Sequence, residues 1–249
     1  MSQTNVDYGI KKSEIIYLSL AVLFSVNLIV TNLTSVKLFQ LPYFDIALPV
    51  GDITYPITFL VTDIVSEIWG KKRAGLIVLI GFVMNIFMFL IVYVMIKLPP
   101  HEEWAIPGES FGFGSAQLYQ NAYESIFGVS SFLVFASMTT YLISQLIDVQ
   151  IFHSCKEFTK GRKLWLRNNV STMTSQLVDT VVFNAIFLYW GLGLDLNTCV
   201  GITFASYIGR FFLALFDTPF CYWSVFWIRN ILKDEKREMK KCCQFTCPQ

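Results

Sequence analysis

Apolar residues fill the chain in long stretches rather than in the alternation of a half-buried strand. The stretches are residues 15–36, 53–70, 75–96, 129–153, 170–193 and 198–228. A helix of about 20 apolar residues crosses the ~30 Å hydrocarbon layer of a bilayer. The pattern predicts an all-α integral membrane protein with six transmembrane helices over residues 14–230, between a polar segment at 1–13 and a tail at 231–249. The stretches differ in purity. Only Asn85 interrupts the third, whereas the first holds Asn27, Thr31, Asn32 and Thr34. Pro56, Asp63 and Glu67 interrupt the short second stretch, and Pro219 breaks the sixth.

The longest connection, 97–127, carries Pro99, Pro100, Pro107, Gly108, Gly112 and Gly114 with Glu102, Glu103, Glu109 and Glu124. Its aromatics Trp104, Phe111, Phe113, Tyr119 and Tyr123 predict a segment lying at a membrane interface, with a short surface helix at 115–126. Its glycine and proline content fits a mobile outer lid, and its aromatics fit interface anchors equally well.

Charge gives the helices a direction. Of the 19 Lys and Arg, all but Lys37, Lys97 and Arg210 fall at the N-terminus, at 71–73, at 156–167 or in the tail. Those segments alternate with the others along a six-helix chain. By the positive-inside rule both termini are then cytoplasmic. Composition agrees with a membrane protein: 54% of residues are apolar, 15% are charged, and mean hydropathy is +0.53. The net charge of +1 makes direct nucleic-acid binding an unpromising reading. The first apolar run is too long, and lacks the small-residue site, for a cleavable signal. Four of the six cysteines fall in segments read as cytoplasmic, where thiols stay reduced. The Cys242-Cys243-x-x-x-Cys247 tail has no paired CxxC and no His, so no metal site is expected.

One motif occurs twice. Ser144-Gln145-Leu146-Ile147-Asp148 returns 31 residues later as Ser175-Gln176-Leu177-Val178-Asp179. Each copy puts Gln and Asp three residues apart on one helix face. The copies fall on consecutive antiparallel helices, so like faces meet across one site, as in the inverted repeats of transporters. The flanking sequence does not repeat, and two polar packing faces are the plainer alternative.

Asp63, Glu67, Asp148, Asp179 and Asp217 stand inside the spans, with Arg210 as the only cation expected there. Each costs about 2.5–3.5 kcal/mol at the centre of a helix on insertion scales. Such residues line a polar pathway or pair as glue. Asp63 and Asp148 each lie eight residues from a basic end, roughly 12 Å in, while Asp179 and Asp217 lie 12 residues in, roughly 18 Å deep. Glu67 sits four residues before Lys71 and reads as a helix-end ion pair. Arg210 is too far along its helix from Asp217 to pair with it, which leaves Asp179 or Asp63 on another span. No zinc-protease, serine-hydrolase or P-loop motif is present, and His101 and His153 are too far apart for one metal. No catalytic residue and no cofactor are expected.

Several blocks carry a family resemblance. They are Asn32-x-x-x-x-Lys37, the run from Pro56-Ile57-Thr58-Phe59-Leu60 through Thr62-Asp63 and Glu67 to Gly70-Lys71-Lys72, Ser144-Gln145-x-x-Asp148, Arg167-Asn168-Asn169-x-Ser171-Thr172-x-x-Ser175-Gln176-x-x-Asp179, and Asp217-Thr218-Pro219. Over about residues 15–230 the chain resembles the queuosine precursor transporter family, also called the vitamin uptake transporter family. Arg210 stands where that family tends to carry Lys, which keeps the charge and changes the hydrogen-bonding geometry.

The resemblance implies a multi-pass inner-membrane importer of 7-deazaguanine bases such as queuine, salvaged for tRNA modification. A guanine-like edge offers two neighbouring N–H donors, which one carboxylate accepts in parallel. The ring can stack on Phe183, Tyr141, Tyr207 or Trp190, close in sequence to the acids. The expected substrate site comprises Asn32, Asp63, Glu67, Gln145, Asp148, Gln176, Asp179, Arg210 and Asp217. In it Asp179 and Gln176 meet the base edge, Asp148 and Gln145 face them, Asp63 binds or carries a coupling proton, and Arg210 keeps an acid ionised. The expected partners are this small molecule and the bilayer; a homo-oligomer or an energy-coupling subunit stays open. Two alternatives remain: the substrate-binding component of an energy-coupling-factor importer, and a structural membrane protein whose acids are assembly glue.

Overall fold

The computed structural model describes residues 11–35, 37–40, 47–104, 112–128, 131–191 and 193–246. Most of segment 1–13, residues Pro107, Gly108, Glu109 and Phe111 of the long connection, and Cys247 lie outside the described residues.

Helices α1 (Lys12–Thr34) and α4 (Lys71–Ile96) are apolar outside and partly polar within. In α1 the buried stripe is Tyr17, Ala21, Phe24, Asn27, Leu28 and Thr31, while Leu18, Val22, Val26 and Val30 are exposed. In α4, Ile77, Val78, Gly81 and Asn85 face inward, and Leu79, Val83, Phe87 and Val94 face outward. Water would select the reverse arrangement. An apolar outer surface suits lipid, where small and polar contacts hold helices together. These two helices are long and apolar enough to cross a membrane, and α8 (Leu196–Thr246) makes a third if its limbs 196–212 and 217–233, bent by 40°, count as one span. Pro219 lies just past the bend, where its missing N–H leaves the Leu215 carbonyl without a helical partner. Helices α6 (Ser131–Phe158) and α7 (Leu164–Asn184) have spanning length but carry the polar motifs, and they fall short of that apolarity.

The protein is helical but not wholly so. Strands β1 (Leu38–Gln40) and β2 (Ala47–Pro49) pair antiparallel, with Phe39 opposite Leu48, inside a connection expected to be irregular. This ribbon returns the chain to α2 (Gly51–Thr54). Gly51 is pressed against α1, where an added Cβ would lie 2.6 Å from the Thr31 carbonyl oxygen. Helix α3 (Pro56–Ile68) follows with Pro56 at its first turn, where no backbone donor is needed. Its residues 61–67 are buried without a break, because α1, α4, α6 and α8 surround it. At ~20 Å long it is a central strut, which explains why a short, polar-rich segment sits at the heart of the bundle. Gly70, at φ 87°, makes the sharp turn into α4 that a side chain would strain.

The basic connection is narrower than expected. Helix α6 runs on to Phe158 and α7 starts at Leu164, so Arg167 is inside the bundle, only 1% exposed. Helix α7 ends in a wider π turn over Ala185–Gly191. The surface helix appears as α5 (Ala116–Phe127), capped by Ser115, whose hydroxyl accepts from the Leu118 N–H at 3.2 Å. Gln120 ties it to the end of α4 through the Ile96 carbonyl at 3.1 Å. Trp104 packs on Tyr119 and Tyr123, with ring centroids 4.9 and 5.8 Å away.

Gly81 is the close-approach point of α4, where a Cβ would lie 2.5 Å from Phe24 of α1 and 2.9 Å from the Tyr141 hydroxyl of α6. Gly81→Val should cost about 1–3 kcal/mol through overpacking. Thermal unfolding in detergent should therefore start at a lower temperature, and an unchanged midpoint would contradict this three-helix contact.

Candidate functional site

A cavity of about 520 Å³ opens between the helix halves farthest from Lys71–Arg73 and the 156–167 turn. This volume lies within the range of small-molecule sites. Its walls come from α1, α2, α4, α5, α6 and α7 and from Arg210 of α8. Aromatic faces dominate: Tyr55, Phe89, Tyr141, Phe183 and Phe187. Phe183 and Phe187, one helical turn apart, stack with centroids 5.5 Å apart. Tyr141 is fixed by donating to the Val78 carbonyl at 2.8 Å. The end of α5, through Ser125 and Ile126, borders the cavity, so part of the long connection does reach its mouth.

The polar groups converge on Asp179. Its Oδ1 accepts from the Tyr55 hydroxyl at 2.8 Å and the Ser144 hydroxyl at 3.1 Å. Arg210 pairs with its Oδ2. The other arm of Arg210 reaches Asp52 Oδ1 at 3.1 Å, and the guanidinium lies over the Tyr55 ring at 5.6 Å. One cation thus bridges two carboxylates from α2 and α7, with an aromatic ring beneath it. On the opposite wall Asn32 donates to Asn85 Oδ1 at 3.0 Å and accepts from Ser137 at 3.2 Å. Thr140 also lines the cavity, with its Oγ1 buried and without a protein partner.

One turn deeper the twin motifs interlock. Ser144 of the first copy donates to Asp179 of the second, and Ser175 of the second donates to Asp148 of the first at 2.9 Å. Antiparallel packing of α6 and α7 makes this exchange reciprocal. Asp148 also accepts from Thr62 at 3.5 Å, while Thr172 donates to Asp63 Oδ2 at 3.2 Å. Gln145 bonds Thr58 Oγ1 at 3.2 Å, tying α6 to α3.

A further turn inward, Glu67 meets three cations. Lys156 Nζ lies 3.0 Å and Arg167 Nη2 2.5 Å from its Oε2, and Arg229 pairs with its Oε1. Lys71 instead bonds Gln150. The helix-end pair expected between Glu67 and Lys71 is therefore replaced by a junction of α3, α6, α7 and α8, because Glu67 faces the bundle and Lys71 begins the next helix beyond the Gly70 turn. Arg210 is not the sole internal cation either, since Arg167 is buried more completely.

Of the residues expected to form one site, the structure gathers Asn32, Asp179 and Arg210 around the cavity. Asp63, Gln145, Asp148 and Gln176 lie beneath it, sealed from solvent, and Glu67 is lower still. Asp217 is half-buried on α8 and is not among the residues around the cavity, although its depth along the sequence matched that of Asp179. Of the aromatics, Phe183 and Tyr141 face the cavity; Tyr207 donates to the Met173 carbonyl at 3.3 Å, and Trp190 is exposed. Asp52 and Tyr55 were missed. Their signal was an acid and an aromatic three residues apart just ahead of Pro56, at the entry to the shortest span. Among the described residues no group of three or more His, Cys, Asp or Glu is placed to hold a metal.

Apolar outer helices around an internal, aromatic-lined polar cavity define a membrane protein built to hold a small solute. Residues 49–224 match the family described as "Putative vitamin uptake transporter", so the chain belongs to that family, and it is a transporter rather than an enzyme. It is 28% identical over 193 residues to a "Probable queuosine precursor transporter" of Bacillus subtilis, covering 77% of this chain and 76% of the relative. It is 29% identical over 133 residues to the "Queuosine precursor transporter" of Escherichia coli, covering 53% and 52% of the two chains. The protein described as "Probable queuosine precursor transporter" in Haemophilus influenzae is 27% identical over 143 residues, 56% of this chain and 51% of that one. No solved structure matches.

The Asp179–Arg210 pair is testable by a double-mutant cycle. Asp179→Asn and Arg210→Gln should each lower the unfolding midpoint in detergent. The double variant should lose less than the sum, with a coupling of about 1–3 kcal/mol. Additive losses would mean that the two groups do not support each other.

Proposed function

We propose that the chain imports queuosine precursors, 7-deazaguanine bases such as queuine, across the inner membrane by alternating access. Residues 14–230 form the transport domain, with six spans and both termini cytoplasmic. The names of its relatives support the substrate class. The observation that carries the reading is Asp179 at the floor of a cavity walled by aromatic rings. A flat base stacks against Phe183 or Tyr141, and one of its N–H donors meets Asp179, the second following when Oδ1 gives up Tyr55 or Ser144. Asp179 Oδ2 has one lone pair left beside Arg210, and Asp52 offers a second carboxylate 3.1 Å from the same guanidinium. An amine arm on the base would find its counter-charge at Asp52.

Positive-inside orientation turns the cavity outward, because the basic segments lie at the other end. The inner route is then closed twice, by the Asp63–Asp148 layer and by the Glu67 junction. Inward opening requires Glu67 to part from Lys156, Arg167 and Arg229, which draw four helices together. Glu67→Gln should weaken that closure. A cysteine placed at Thr172 should then react faster with a membrane-impermeant thiol reagent added from the cytoplasmic side, and an unchanged rate would dismiss the gate.

Expression in a strain lacking its own importer should restore accumulation of labelled queuine. Asp179→Ala should reduce it about 10- to 100-fold, the worth of a hydrogen bond to a charged group. Normal uptake by that variant would remove the site assignment even with transport intact. Uptake that appears only with a co-expressed ATPase would favour the energy-coupling-factor reading. Stabilisation of the purified protein by 7-deazaguanines but not by guanosine would exclude a purely structural role.

A further inference from the structure

Asp63 and Asp148 stand apart from the other internal acids. Asp179 has Arg210, and Glu67 has three cations. Among the described residues no Lys, Arg or His forms an ion pair with Asp63 or Asp148, and their exposures are 1% and 0%. The two side chains share one layer of hydroxyls: Thr62, next to Asp63 on α3, reaches Asp148 Oδ2 at 3.5 Å, and Thr172 and Ser175, three residues apart on α7, reach Asp63 Oδ2 at 3.2 Å and Asp148 Oδ1 at 2.9 Å. Two carboxylates are acceptors only, so neither can serve the other while both are ionised. The hydroxyls supply part of the demand. Asp63 Oδ1 is buried with no donor at all. Gln176 Oε1, 1% exposed and also without a donor, sits on α7 one turn above Thr172 and next to Ser175, on the face that supplies those hydroxyls.

Two adjacent, buried, uncompensated negative charges are not sustainable in such a place. The remaining charged or titratable groups do not relieve them. From α8, Asp217 and the thiol of Cys221 face the pair, and Asp217 adds more negative charge. Arg167 of α7 is engaged by Glu67 on the next turn of α3, and His153 of α6 lies beyond Asp148 toward the basic end. The titratable groups of α1 and α4 lie toward their ends: Glu14 pairs with Arg73 at 3.1 Å, Tyr17 donates to the Arg73 carbonyl, and Tyr93 is on the far side.

We infer that Asp63 and Asp148 form a proton-binding site whose loading is coupled to movement of the solute in the cavity above. The inference rests on the transport reading and adds its driving force. The link between the two layers is structural. Asp148 is four residues from Ser144, and Ser175 is four from Asp179, so the two serines tie the pair to the floor of the cavity. When a solute draws Asp179 away from Ser144, α6 and α7 shift against each other and the same shift reaches Ser175 and Asp148. A proton taken from the outer side neutralises the pair, so that the helices carrying it can shift without an uncompensated buried charge. The proton leaves to the cytoplasm when the Glu67 junction opens, and the empty protein returns.

Purified protein in liposomes containing a trapped pH-sensitive dye tests this. Queuine added outside should acidify the lumen. Its accumulation should rise about tenfold per unit of pH gradient, acid outside, if one proton accompanies each base. Asp148→Asn should abolish both the acidification and the gradient-driven accumulation, and Asp63→Asn supplies a second reading should the first variant fold poorly. Queuine entry with no lumen acidification overturns the proton site and leaves the transport reading intact. Acidification that persists in both variants overturns the assignment to this pair. Absence of queuine entry at every pH overturns the transport reading and the coupling with it.

Discussion

A carboxylate removed from water must be met by donors, and in this protein those donors almost always come from another helix. Asp179 of α7 is held by Tyr55 just ahead of α3, Ser144 of α6 and Arg210 of α8. Glu67 of α3 is held by Lys156 of α6, Arg167 of α7 and Arg229 of α8. The spacing between the two levels is common to the helices involved. Tyr55 to Glu67, Ser144 to Lys156 and Arg167 to Asp179 are each 12 residues, or ~18 Å of helix. Three helices therefore carry matching polar levels at one pitch, and satisfying one level brings the others into register.

This matters more in a bilayer than it would in water. Lipid tails are as apolar as Leu, so burying Leu against Leu gives helices little reason to associate. The exposed Leu, Val and Phe of α1, α4 and α8 fit that setting. Specificity then falls to polar contacts and close approaches such as Gly81 and Gly51. It also separates glue from site. Where polar demand is met within the protein, as for Gln145 with Thr58, the group holds helices together. Where a carboxylate keeps a lone pair at the cavity, as Asp179 does, the group is free to meet a solute.

Much of this was readable from the residues. Helical period and length gave every long helix, including the interfacial α5. The repeated Ser-Gln-Leu-x-Asp motif marked the two helices that pack most extensively, and the need for a partner on another span pointed Arg210 toward Asp179 or Asp63, of which it meets Asp179. The losses share one cause. Arg167 looked like a loop charge because a basic cluster reads as solvated rim, yet α7 begins three residues earlier and turns it inward. Asp52 looked like the end of a connection and Tyr55 like an ordinary residue of the second apolar stretch, because the ribbon that folds them back over the cavity leaves only a short, ambiguous pattern. The two Asp of the twin motif looked like walls of one site, and the packing puts one at the cavity floor and one beneath it.

The sequence by itself determined which long segments are helical and which end of the bundle is basic. Those quantities depend on local period and on 1.5 Å of rise per residue, and no neighbour alters them. Only the tertiary structure decided which acids share a space. That depends on the rotation of each helix about its axis and on its lateral neighbours, and a quarter turn of α8 would hand Arg210 to a different carboxylate. Asp179 has become a solute-facing group and Asp148 a sealed one because α6 and α7 are antiparallel and offset, so that each motif's serine meets the other motif's acid.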